Sequence, residues 1–310
     1  MSKTLNQGGV KLFTSFRLYL PIMSLLNNMF SQLKYYPNPM REYNDDEMIE
    51  LLCQSPRSIC IQRHPDSIIR ETNSYAVTVN ISFPHTIYPL YYNEVGDILS
   101  PNRHDSYNDD SYWKGYEEST SVAATKALSF KDKYYKTVFI RDSLSLSLSL
   151  GLRAIGDDGG ELELTDLGRL FHNAKYNECA DSINQVSSQL NSFLSSAPYY
   201  ADVDYIVPIP STKVDNPNNL PLILAEQTKK EIVHVEWNKK LTLKGRSIDE
   251  KLQFLKELEV DLEGKHLPET IILLDDLYES GITMNLFAQK LFEHGVKNIY
   301  GLTIVKAVHN

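Results

Sequence analysis

The stretch that most constrains this chain is Ile271-Ile272-Leu273-Leu274-Asp275-Asp276. Four consecutive large aliphatics cannot alternate between core and solvent, so the run reads as a strand covered on both faces, as inside a parallel sheet. The acid pair and the following Glu279-Ser280-Gly281-Ile282-Thr283 predict that the strand stops abruptly at Asp275 and Asp276, leaving both at an exposed strand end. From Met284 to His294 the residues Leu286, Phe287, Leu291 and Phe292 recur at helical spacing, and Gly295 supplies a helix stop. Asn298 to Val305 then reads as a second apolar strand. In an open parallel sheet, ligands collect beyond the carboxyl ends of the strands, where a helix N-terminus offers unpaired N–H groups to an anion. Residues 279–283 are therefore a candidate phosphate cradle, in which Ser280 and Thr283 add hydroxyl donors and Gly281 permits close backbone approach.

Composition narrows the function classes. With 310 residues, 42% hydrophobic and 23% charged, the chain can bury a full core and divide into two domains, which excludes a disordered protein. A net charge of −9 argues against an extended nucleic-acid surface, leaves direct nucleic-acid binding by a local basic loop open, and means that a phosphate ligand needs local cations or a metal. The cysteines Cys53, Cys60 and Cys179 are odd in number and not spaced as pairs, which supports neither a disulfide framework nor a zinc ribbon and fits the reducing cytoplasm. The apolar run Leu18 to Leu26 is broken by Pro21, lacks a small-residue cleavage site and is too short to span a bilayer, so neither export nor a membrane partner is expected.

Along the chain, residues 1–56 read as mostly helical, most clearly at Asn44 to Leu52, where acidic residues crowd the first turn. Residues 75–83 alternate as a half-buried strand, 94–121 read as a surface loop, 122–130 as a short helix and 134–140 as a strand. Ser143 to Leu150 has strict period two, which puts its leucines on one face of a strand, and Gly156 to Gly160 predicts a hairpin into a strand at 161–164. These residues make a separate α+β domain over 1–164. A second domain, 165–310, opens with a helix at Thr165 to Tyr176 and continues with a helix from Glu178 to about Leu194 and a strand at Asp204 to Pro210. After it come a helix at 220–231, an alternating strand at Ile232 to Trp237 and a helix at 249–259.

An apolar strand, two acidic residues, two apolar residues and a Ser/Thr-Gly loop, here Asp275-Asp276-Leu277-Tyr278-Glu279-Ser280-Gly281-Ile282-Thr283, resemble the signature of the type I phosphoribosyltransferases. Lys175-Tyr176 after an apolar helix, then a helix, then a strand ending Val207-Pro208-Ile209-Pro210, resemble the ComF-type and amidophosphoribosyltransferase-like members of that family. The resemblance covers about residues 165–307. It departs from the family at Glu279, where most members carry Thr or Ser, in lacking a four-cysteine zinc ribbon, and at Asn216 to Pro221, where an Arg-Gly-Phe-Asn-Gln run is expected.

The resemblance implies a Rossmann-like, mainly parallel α/β domain that binds phosphoribosyl pyrophosphate, or a nucleotide, with Mg2+. It implies a pentosyltransferase acting on a nucleobase or nucleotide-type acceptor. Asp275 and Asp276 would hold the ribose hydroxyls or a metal-bound water, and Ser280, Gly281, Ile282 and Thr283 the 5-phosphate. Glu279 would be a general base toward the acceptor or an exposed loop carboxylate. Ser211, Thr212 and Lys213 would meet the pyrophosphate, and Lys239, Lys240, Lys244 and Arg246 would close over it as a mobile flap, a solvated basic loop being the alternative. Two other classes stay open: a non-catalytic module sensing the same ligand, or an effector of a defence-type system controlled by a protein partner through residues 1–164.

Overall fold

The computed structural model describes residues 36–53, 58–63, 69–73, 76–79, 81–95, 112–115, 121–156, 161–211, 219–238, 247, 250–251, 253, 256–257, 259–262 and 266–308. The first helix among the described residues, α1 (Asp45–Cys53), starts where the acidic turn predicts, and a reciprocal pair of bonds caps it: Glu47 N–H donates to Asn44 Oδ1 and Asn44 N–H to Glu47 Oε2, each at 3.0 Å. There follow β1 (Ser58–Cys60), β2 (Ile69–Asn73), β3 (Ala76–Val79), β4 (Ile81–Pro84), α2 (Tyr88–Val95), β5 (Tyr112–Gly115), α3 (Ser121–Lys133), β6 (Val138–Ile140), β7 (Leu146–Leu152), β8 (Ala154–Ile155) and β9 (Glu163–Leu164). The remainder is α4 (Asp166–Tyr176), α5 (Ala180–Ser196), β10 (Tyr205–Pro208), α6 (Leu220–Glu226), β11 (Glu231–Ile232), β12 (Glu236–Trp237), β13 (Val260–Asp261), β14 (Thr270–Tyr278), α7 (Ile282–Glu293) and β15 (Asn298–Lys306). None of the helices among the described residues is long and apolar enough to cross a membrane.

A seven-stranded sheet of order β1-β6-β7-β15-β14-β10-β11 organises the molecule, and strands from both sides of residue 165 belong to it. From β7 to β11 the neighbours run parallel, while β6 is antiparallel to both β7 and β1. The α/β class and the mostly parallel sheet are thus as the aliphatic run predicts. Helices cover both faces: Ile272, Leu274 and Leu302 pack with Phe171 of α4 and Val186 and Leu190 of α5, whereas Ile271, Leu273 and Val207 pack with Phe287 and Leu291 of α7. Ile271 to Leu274 are all fully buried. At roughly 1.5–3 kcal/mol per large aliphatic, this burial ties β14 firmly into the interior of the sheet.

The connections set where the sheet reverses its winding. From β14 the chain crosses through α7 to β15 on one side, and from β10 it crosses through α6 to β11 on the other. Since β14 and β10 are hydrogen-bonded neighbours, the sheet reverses its winding between them, the place at which open α/β sheets bind ligands beyond the carboxyl ends of their strands. Ile206 to Pro208 lie opposite Ile272 to Leu274, and Ile209 N–H extends the pairing by donating to Leu274 O at 2.8 Å.

Several elements differ from their sequence reading. The period-two run enters the sheet only at Leu146, because Ser143 N–H and Oγ–H both donate to Asn285 Oδ1 and Leu144 N–H donates to Asp142 Oδ1, so side chains take the bonds a ladder would make. Its leucines accordingly divide: Leu146 and Leu148 join the α4/α5 side and Leu144 the α7 side. The segment Ile232 to Trp237 is two short strands rather than one, since β11 pairs with β10 whereas β12 pairs antiparallel with β13. The 220–231 helix ends at Glu226, the 134–140 strand begins only at Val138, and β5 interrupts the 94–121 loop.

Candidate functional site

Contrary to the expected stop, β14 continues through the acid pair to Tyr278, because β15 pairs with it as far as Tyr278 opposite Lys306. The carboxylates therefore sit in the sheet and not at an exposed end, and Asp276 is buried at 7% exposure. Successive strand side chains point to opposite faces, so Asp276 follows Ile272 and Leu274 toward α4, and Asp275 follows Ile271 and Leu273 toward α7. On the α4 side, Lys175 Nζ reaches Asp276 Oδ1 at 2.7 Å. Burial alone would depress the Lys175 pKa, but the charge of Asp276, the bond to it and the nearby Asp275 outweigh that and hold it above the ordinary lysine value.

Asp275 has a different environment. Its Oδ1 accepts the N–H of Asp276 at 2.8 Å, which fixes the rotamer. Burial first, and then the Asp276 charge, push its pKa up to about 7, against the lowering effect of Lys175 and the Asp276 N–H. The two acids thus hold different positions: one is the partner of a lysine on the α4 side, the other a carboxyl on the α7 side near neutral titration.

Beyond Tyr278 the chain turns sharply. Glu279 is exposed and Ser280 partly buried. Gly281 adopts φ 76°, ψ −8°, the left-handed region that favours glycine, and serves as N-cap of α7 with no side-chain capping bond. Ile282 and Thr283, read as loop, form the first turn of the helix, and Ile282 is a buried core residue. An uncapped helix start leaves N–H groups available to an anion. Tyr278 folds back over Gly281 so closely that a Cβ there would collide with its ring and hydroxyl. Asn285 Nδ2 donates to Gly281 O at 2.8 Å and to the Tyr278 hydroxyl at 3.3 Å, and that hydroxyl donates to Asp142 Oδ2 at 3.2 Å. A buried bracket of Asp142, Ser143, Tyr278 and Asn285 therefore holds the turn.

On the neighbouring strand, Ser211 follows β10 and is partly buried, while Thr212 and Lys213 lie outside the described residues. Lys239, Lys240, Lys244 and Arg246 also lie outside them, but the stem from which their segment departs is well placed. Trp237 Nε1–H donates to Pro210 O at 3.2 Å and its ring packs on Phe287 with centroids 4.7 Å apart. Asn238 N–H donates to Glu259 O at 3.0 Å, and Glu259 N–H returns a bond to Asn238 Oδ1 at 3.1 Å. The stem thus stands beside the exit of β10.

The sequence reading brings Asp275, Asp276, Glu279 to Thr283 and Ser211 to one end of two neighbouring strands. It misses Lys175 as a site residue, although the Lys175-Tyr176 pair stands out in sequence, and it misses Asn285, whose only signal is a polar residue on an apolar helix face. Among the described residues no three His, Cys, Asp or Glu side chains converge as a metal cage. One carboxylate together with a ligand's own phosphate oxygens does suit magnesium, which keeps several waters and is commonly held this way. No protein-family model matches the chain, and no curated protein does.

Proposed function

We propose that the crevice between β10 and β14 binds phosphoribosyl pyrophosphate with magnesium, and that the protein is a cytoplasmic phosphoribosyltransferase acting on a nucleobase or nucleotide-type acceptor. One observation carries this reading: an acid-bearing strand and a glycine-opened, uncapped helix start lie together at the point where the sheet reverses its winding. The helix start and Ser280 and Thr283 would take the 5-phosphate. Asp275, on the α7 side with that turn, would meet the ribose hydroxyls or a metal-bound water. Ser211 and the segments after β10 and β12, with Thr212, Lys213, Lys239, Lys240, Lys244 and Arg246, would meet the pyrophosphate.

The reaction breaks the bond between ribose C1 and pyrophosphate, so positive charge grows on the sugar as an anion leaves. Magnesium, when bound, would neutralise part of the charge on that leaving group. The protein's share is to orient the sugar, to donate N–H and ammonium groups to the departing oxygens and to exclude water, since donors fixed in place cost no reorganisation as the bond breaks. Glu279 is exposed, at a position from which a carboxylate can take an acceptor's proton or simply stay solvated.

Thermal or chemical denaturation with and without phosphoribosyl pyrophosphate and magnesium tests the reading. At a hundred times the dissociation constant the ligand should stabilise the fold by about 2.7 kcal/mol. A folded protein with no shift at millimolar ligand would overturn it. Pyrophosphate release across candidate acceptors then separates a transferase from a sensor.

A further inference from the structure

A lysine in the last turn of a helix ordinarily extends its ammonium into water, where it also favours the helix C-terminus. Lys175 occupies the last turn of α4 and instead reaches the sheet, with a side chain only 23% exposed and Nζ 2.7 Å from a carboxylate that is itself 9% exposed. No sequence contact demands this, since the partners are 101 residues apart and on different elements. The pair therefore ties α4 to the carboxyl end of β14 at the candidate site.

Its consequence falls on the division of work between the two acids. Asp276 is turned to the α4 face and held there by Lys175, while its N–H anchors Asp275 Oδ1 at 2.8 Å. From this geometry, and resting on the phosphoribosyl reading of the site, we infer that Lys175 is a positioning residue: it withdraws Asp276 from the ligand and so presents Asp275 as the carboxylate that meets the sugar or its hydrated cation. Lys175 acts through Asp276 and does not itself touch the ligand's phosphates. Charge alone would assign a cation at this strand end to the pyrophosphate, and the two roles differ in what a second substitution does.

The test is a double-mutant cycle read by binding of phosphoribosyl pyrophosphate with magnesium and by kcat and KM separately, each variant first checked for a cooperative melt. Lys175→Met strands a buried charge and should weaken binding by about tenfold or more, a magnitude typical of coupling between residues in contact. Adding Asp276→Asn, which removes that stranded charge, should restore most of the loss, and Lys175→Arg alone should lose much less than Lys175→Met. Should Lys175→Met fail to fold, the double variant and Lys175→Arg still carry the comparison with Asp275→Asn, which should lose binding in every background. A double variant that binds no better than Lys175→Met would show that the ammonium contacts the ligand directly, and would overturn the inference while leaving the phosphoribosyl reading intact. A wild-type protein that does not bind the ligand at all ends both.

Discussion

At the scale of the residue, adjacent carboxylates in one strand have been given opposite surroundings, and this makes a pH signature. Asp275 has its pKa raised to about 7 by burial and by the neighbouring Asp276 charge, whereas an aspartate in the unfolded chain titrates near pH 4. Below about pH 4 the group is protonated in both states and contributes no penalty. Between there and about pH 7 the unfolded chain releases the proton and the folded chain retains it, so stability falls as pH rises, and above about 7 the loss is complete. One pKa unit is worth about 1.4 kcal/mol, so Asp275→Asn should stabilise the ligand-free protein by about 1 kcal/mol or more at pH 8 while leaving it little changed at pH 4. Urea unfolding across that range measures this. A variant with the wild-type pH slope would show that Asp275 ionises as an ordinary carboxyl.

Among the elements, the turn between β14 and α7 carries the local strain of the site. Gly281 holds φ 76° beneath the Tyr278 ring, so Gly281→Ala meets both an unfavourable backbone region and a collision. A cost of about 1–3 kcal/mol in urea unfolding is expected, with weaker ligand binding beyond what lost stability explains. An alanine variant as stable as the parent would mean that the turn relaxes freely and that the bracket of Asp142, Ser143, Tyr278 and Asn285 does not hold it. How far such an element is legible in sequence depends on the range of the interactions behind it. The aliphatic run, the glycine and the following helix are written locally, in spacing and composition, and β14, α7 and β15 could be placed from them. The length of β14 was not, because its continuation through the acids depends on pairing with β15 and on a lysine 101 residues earlier in the chain. Trp237 shows the same limit: its alternating neighbourhood indicates a strand but not that the partner is Val260 rather than Ile206.

For the molecule as a whole, the sheet order decides the location of the chemistry. With β15 paired on one side and β10 on the other, strand β14 is internal to the sheet, and helices cover both its faces. Its carboxyl end is then the natural place for a stable platform bearing polar groups, and the reversal between β14 and β10 is the position at which open α/β sheets bind their ligands. The fold class was readable from the run of buried aliphatics. The contribution of β7 was not, since a run of alternating serine and leucine does not announce which sheet it joins. The proposal that phosphoribosyl pyrophosphate binds beyond the carboxyl ends of β10 and β14 is tested by amide hydrogen exchange with and without that ligand and magnesium. Ligand should slow exchange at 279–285, at 209–213 and across the basic segment 239–246, with α4 and α5 away from Lys175 little changed. Slowed exchange elsewhere with 279–285 and 209–213 unaffected, in a protein that demonstrably binds the ligand, would contradict it.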